Sequence, residues 1–277
     1  MIRVITVLLF FTFHCGSNGS PLLWINQIPK PWEIDENDFD EYLEEFQIRF
    51  PDFHQRVKAI NLWRVGTPYG IYCLGEEIGI DDDPILRADT SDCTVHVLTT
   101  LAFASSSTWS EARNKMIQIH YKPDSLHNHL PSFQSRWHFT SDRILNHNQT
   151  VDITSTLFEP RITEQVSIEL NIQDDGDEFL DLDWSSLQTI TYIPSELISS
   201  IVTQKLPQVC GVAFVKVDYF KLGIVIAHEG YLIDQTNLIH ASSEHGMTVQ
   251  IDFMDYLVQG NSYRFDGVMF FKLNQAS

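Results

Sequence analysis

Basic side chains are scarce in this 277-residue chain: 18 Lys and Arg stand against 37 Asp and Glu, a formal charge of −19. Such a surface repels phosphate backbones and anionic headgroups, which sets aside nucleic-acid and membrane-surface roles. Long apolar runs are also missing. The run from Val4 to Phe13 falls well short of the roughly 20 residues that a spanning helix needs, and Lys216, Asp218 and Lys221 interrupt the most apolar stretch further on. No internal repeat or low-complexity linker is found, and no His-Glu-x-x-His stretch, the signature of one class of zinc hydrolase. What is present is enough to bury a core, since 43% of the residues are hydrophobic.

The first residues carry one positive charge at Arg3, the short apolar run, and then the small residues Cys15-Gly16-Ser17-Asn18-Gly19. That order marks a secretory signal peptide cut after Ser17 or Gly19. The expectation is an exported protein, periplasmic or secreted. Residues 1–19 are then the signal, 20–56 an acidic helical extension, and 57–277 one elaborated domain. Cysteine is sparse, with four in the chain, and cleavage would leave Cys73, Cys93 and Cys210. In a compartment that permits disulfides, either Cys73 pairs with Cys210 or all three stay reduced. Both accounts leave Cys93 as the thiol to be explained.

Helical spacing comes first along the chain. Phe39, Tyr42, Leu43, Phe46 and Phe50 recur at that spacing, and so do Val57, Ile60 and Leu62 after Pro51, up to the turn at Gly66–Gly70. A further helix is expected from Cys93, and another over Thr108 to His120 with Ser110 as its cap. Tyr121 to Asn148 reads as polar and irregular. Strand-like alternation follows in Gln165–Leu170, Leu187–Ile193, Gly211–Val217, Gly223–His228, Asn237–Ala241, Thr248–Phe253 and Tyr263–Leu273. Asp174-Asp175-Gly176-Asp177 reads as a solvated turn. Helices followed by a run of strands predict an α+β domain with an antiparallel sheet.

Three short stretches carry chemistry: Asp92-Cys93-Thr94, the strand-like Ile224–His228, and Leu238-Ile239-His240. A thiol at a helix N-terminus gains from the helix dipole and a nearby imidazolium, which favour the thiolate. A tight connection between the two strands would set both imidazoles on one sheet face, His228 as base and His240 as the group that orients it. The histidines at 120, 127, 129, 138 and 147 have no standard zinc spacing and read as a solvated loop.

In order, Gly66-Thr67-Pro68-Tyr69, Asp92-Cys93-Thr94, His228-Glu229-Gly230 and Ile239-His240-Ala241-Ser242-Ser243 resemble the NlpC-type papain-like cell-wall amidases. The closer resemblance is to their N-acetylmuramoyl-L-alanine amidase-like branch. It is supported by Leu74-Gly75-Glu76, by Arg87 through Asp92, by Arg136-Trp137-His138-Phe139 with Asn146, and by Val151-Asp152-Ile153-Thr154; it runs from about Val57 to Phe270. The resemblance implies a papain-like fold whose catalytic cysteine, Cys93, begins a helix packed on an antiparallel sheet carrying His228 and His240. It implies Tyr69 as an oxyanion donor and Asp92, Arg136 and His138 as substrate contacts, with no metal or organic cofactor. The implied reaction is hydrolysis of the muramoyl–alanine amide of peptidoglycan or its muropeptide fragments. A stem-peptide endopeptidase, with Asp92 holding a free amine, and a weakly catalytic wall-binding protein are the alternatives. The chain departs from the family at His96 and Leu98, where an aromatic residue and a glutamate are usual, and at Ala227 and Glu229 around the base. These changes bear on substrate preference.

Overall fold

The central strand of the molecule, β4 (Val209–Val215), is buried along its whole length. Its alternating side chains feed two separate cores, because successive residues of a strand face opposite sides. Val209, Ala213 and Val215 join one apolar cluster with the long helices. Cys210, Val212 and Phe214 join the other. The computed structural model describes residues 21–275; the expected signal peptide lies outside them.

The first half is helical: α1 (Pro21–Trp24), α2 (Phe39–Arg49), α3 (Phe53–Arg64), α4 (Cys93–Ala104), α5 (Trp109–His120) and α6 (Thr140–Asn146). Phe39, Leu43 and Phe46 of α2 are buried with Val57, Ile60 and Trp63 of α3 and the apolar length of α4, so the acidic N-terminal segment supplies core side chains. Asp52 caps α3 by accepting the Gln55 N–H at 2.9 Å.

The sheet follows, all of its pairings antiparallel. Its strands are β1 (Thr150–Asp152), β2 (Glu164–Leu170), β3 (Ser186–Pro194), β4, β5 (Ile226–Ile233), β6 (Asn237–Ser242), β7 (Met247–Asp252) and β10 (Gly267–Leu273). The order is β2-β3-β10-β4-β5-β6-β7, with β1 pairing β10. A separate short hairpin joins β8 (Val258–Gln259) to β9 (Ser262–Tyr263). Helices α3 and α4 pack on one face of the sheet. Short helices α8 (Ser200–Thr203) and α9 (Phe253–Leu257) close the other through Val202, Phe253 and Leu257, and α7 (Thr154–Leu157) lies between Ile153 and Phe158 of the same cluster. The architecture is α+β and consistent with a papain-like arrangement. Among the described residues no helix is long and apolar enough to cross a membrane.

Three local readings need correction. The cap of α5 is Thr108, whose hydroxyl accepts the Glu111 N–H at 3.1 Å, so Ser110 already lies inside the helix. The stretch expected to be irregular holds α6, anchored by its buried Ile144. Strand β5 starts later and runs further than the alternation predicts, because Gly223 adopts φ +69° and closes a 3₁₀ turn over Val217–Leu222. Cys73, Cys93 and Cys210 are all free thiols: Cys210 is wholly buried in the sheet, while Cys73 sits half-buried in a loop.

Candidate active site

Cys93 is the first residue of α4, and Asp92 is its N-cap. Both Asp92 oxygens hold backbone: Oδ1 accepts the Val95 N–H at 2.9 Å and Oδ2 the Tyr72 N–H at 3.2 Å. The carboxylate therefore fixes the helix start and ties the Tyr72 loop to it. Burial raises its pKa. Tyr69 is brought to the same place mainly by backbone hydrogen bonds, with the Thr90 hydroxyl donating to the Pro68 carbonyl at 3.0 Å. Its N–H donates to the Gly246 carbonyl at 2.9 Å, and the flanking Pro68 carbonyl accepts the Ser91 N–H at 3.0 Å.

The histidines arrive on one hairpin. Strands β5 and β6 are joined through the three residues Asp234, Gln235 and Thr236, the first two with φ of +51° and +63°. His228 Nε2 lies 2.8 Å from His240 Nδ1, with the rings near perpendicular at 86°. Gly230 makes this approach available: a Cβ there would meet the Ile239 carbonyl at 2.8 Å and His240 Cβ at 2.9 Å. Aromatic rings wall the pair. Phe214 stacks on His228 at 5.8 Å, and the Tyr256 ring lies 4.5 Å from His240. Burial pushes the His228 pKa down to about 3 and that of His240 down to about 4, so both imidazoles are neutral at physiological pH.

A cavity of about 360 Å³ gathers these groups: Tyr69, Asp92, Cys93, His138 and His228 line it, together with Ser243. His240 stands behind His228. The Cys93 pKa is pushed up to about 12 by burial first, then by the charges of Asp92 and Glu229, against the Glu229 N–H and the Thr94 hydroxyl, which favour the thiolate. The sequence reading expects a thiolate encouraged by an imidazolium. Burial works against both charges in that expectation, lowering the imidazole pKa values and raising that of the thiol. Tyr69 also stays protonated: burial, then the Cys93 and Asp92 charges, raise its pKa.

Other site expectations fare differently. Arg136 is absent from the cavity lining. Its guanidinium pairs with Glu76 and, at 3.0 Å, with Asp81, which makes it a loop clamp. His138 reaches the cavity, but its Nε2 is 2.6 Å from the Phe133 carbonyl. Glu229 is 0% exposed and pairs with the equally buried Arg143, while accepting from the Thr140 hydroxyl at 3.2 Å. Losing either partner of a buried pair strands a charge, so Glu229 has a structural partner rather than a free carboxylate. Among the described residues no group of three or more His, Cys, Asp or Glu converges as a metal site.

Sequence reasoning missed Tyr256 and the apolar wall of the cavity. Phe179 and Leu180, just after the acidic stretch taken for a solvated turn, line the cavity with Ile71, Tyr72, Ile224 and Ile226. The paired apolar residues after Asp177 are the signal that this turn ends against something.

A family model described as N-acetylmuramoyl-L-alanine amidase-like matches residues 60–263. Protein LPG0564 from Legionella pneumophila str. Philadelphia 1 superposes with a TM-score of 0.67 at 20% identity, over 86% of this chain and 95% of that one. An N-acetylmuramoyl-L-alanine amidase from Bacteroides uniformis ATCC 8492 gives 0.60 at 18% identity, over 80% of this chain and 99% of its own. At such identities the likeness is one of fold. No curated protein matches.

Proposed function

Because the chain belongs to the N-acetylmuramoyl-L-alanine amidase-like family, we propose that it is an exported cysteine hydrolase that cuts the amide between N-acetylmuramate and L-alanine in peptidoglycan or its fragments. The observation that carries the mechanism is the 2.8 Å contact between His228 and His240 beside a cavity that also presents Cys93 and Tyr69.

His240 occupies Nε2 of His228, which leaves Nδ1 as the free base. In this reading Nε2–H of His228 donates to His240 Nδ1, fixing the tautomer in which Nδ1 accepts a proton. Since thiol and imidazole both rest neutral, proton transfer accompanies attack: Cys93 Sγ bonds to the lactyl carbonyl carbon as its proton passes to His228. The developing oxyanion accepts hydrogen bonds from the Tyr69 hydroxyl and the Cys93 N–H, donors of a kind worth about 10²–10³ in rate. Collapse breaks the C–N bond, and the alanine amine leaves with the His228 proton. A water, deprotonated by His228, then hydrolyses the thioester and frees the sugar acid together with the thiol.

A signal peptide over residues 1–19 and a catalytic region over 57–277 complete the proposal. Mass spectrometry of purified muropeptides, incubated with the mature protein and with Cys93→Ala, tests it. Release of the intact stem peptide, lost in the variant, is expected. Cleavage inside the stem would move the activity to an endopeptidase, and no cleavage alongside an inert Cys93 would leave a wall-binding role.

A further inference from the structure

Resting on the amidase reading, we propose that this cleft selects muropeptides whose stem is neutral beside the scissile bond, with the second residue amidated rather than a free acid. The cavity lining contains neither lysine nor arginine among the described residues. Its charged member is the Asp92 carboxylate, and the histidines that reach it, His138 and His228, are neutral because burial lowers their pKa values.

Cations of the surrounding segments are committed elsewhere. Arg136 is held by Glu76 and Asp81, Arg264 by Glu244 at 3.2 Å, Arg87 by Asp89 at 2.8 Å, and Arg143 by the buried Glu229. Exposed Lys221 lines a different groove, with Glu169 and Asp174. The chain carries a formal charge of −19, so the long-range field adds to the local one.

A stem peptide places an ionisable group one residue past the alanine, about 4 Å of backbone further along. As a carboxylate it would meet Asp92 and the wall of Ile71, Tyr72, Phe179 and Leu180 with no cation to accept it. As a carboxamide it loses the repulsion, and its desolvation against that wall costs far less. The arrangement discriminates through what it withholds from the acid form.

The test compares N-acetylmuramoyl-L-alanyl-D-isoglutamine with the corresponding D-glutamate compound, measuring kcat/KM for the mature protein at low and high salt. The amidated compound should be cut about tenfold better at low ionic strength, with the gap narrowing as salt screens the carboxylate. Phe179→Arg, which sets a cation on the wall, should improve cutting of the glutamate compound relative to the amidated one. Equal rates, or a preference for the acid, would overturn this inference and leave the amidase reading standing. Cutting of neither compound would remove the amidase reading and this inference with it.

Discussion

Two groups of histidines in this protein have pKa values lowered by burial and differ in their partners. His138 and His147 each place a ring nitrogen near a main-chain carbonyl, those of Phe133 and Gln118, at 2.6 and 3.1 Å. His228 and His240 meet each other at 2.8 Å. Burial holds His138 and His147 at a pKa of about 4, close to the values of the hairpin pair. A lowered pKa therefore fails to separate a carbonyl-bound histidine from one proposed to be catalytic. What separates them is the partner: His138 and His147 meet main-chain carbonyls, whereas His228 and His240 meet each other.

The sharpest way to break the comparison is to remove one ring from each group. His228→Ala should lower kcat by about 10⁴-fold or more, as losing the base of such a unit does. His147→Ala should leave kcat essentially unchanged and cost about 1–3 kcal/mol of stability through its lost hydrogen bond. Steady-state kinetics and denaturant unfolding of the two variants check both halves. Equal kinetic losses would erase the distinction.

A smaller perturbation leaves both imidazoles present. Gly230→Ala introduces a methyl group against the Ile239 carbonyl and His240 Cβ, so the pair must separate. A displacement of this size should cost up to about 10²-fold in kcat with little change in KM. A variant as active as the parent would show that the 2.8 Å contact is dispensable.

The weakest probe is pH, under which the two groups should behave alike. Each lowered histidine is neutral in the folded protein between its native pKa and the unfolded value of about 6.5, while the unfolded chain binds the proton. Stability is thus complete above about pH 6.5 and falls as pH drops towards 4 for His138, His147 and His240, and towards 3 for His228. Each contributes a slope of about 1.4 kcal/mol per pH unit across its window. Unfolding midpoints from pH 7 to 4.5 should fall steeply, and His147→Ala should flatten the curve. A midpoint that stays level in that range would contradict the neutral burial of these rings.

Legibility in the sequence followed the range of the interactions. The helix at Cys93 and the hairpin of His228 and His240 are written in local pattern: a capping Asp92, alternating strands and a short turn. Their convergence was suggested by motif order and needed no long-range contact to be guessed. Arg136 was misplaced because its partners, Glu76 and Asp81, come from a loop that is distant in sequence. Glu229 looked available to substrate for the same reason, since nothing nearby in the chain announces Arg143. The helix over Thr140–Asn146 escaped notice because its stability comes from packing of Ile144 rather than from length. Phe179 and Leu180 were lost in an acidic surrounding whose composition said only that it faced water.

The hairpin has a mechanical consequence. The two imidazoles sit 12 residues apart on strands joined by a short turn, just beyond Tyr231↔Ile239, the last pair of the ladder between those strands. The thiol belongs to a different body, the helix laid against the sheet. The docking of that helix on β5 and β6 sets the reach between sulfur and imidazole. In the proposed mechanism, a shift of that helix would change the reach between sulfur and imidazole without altering the histidine pair.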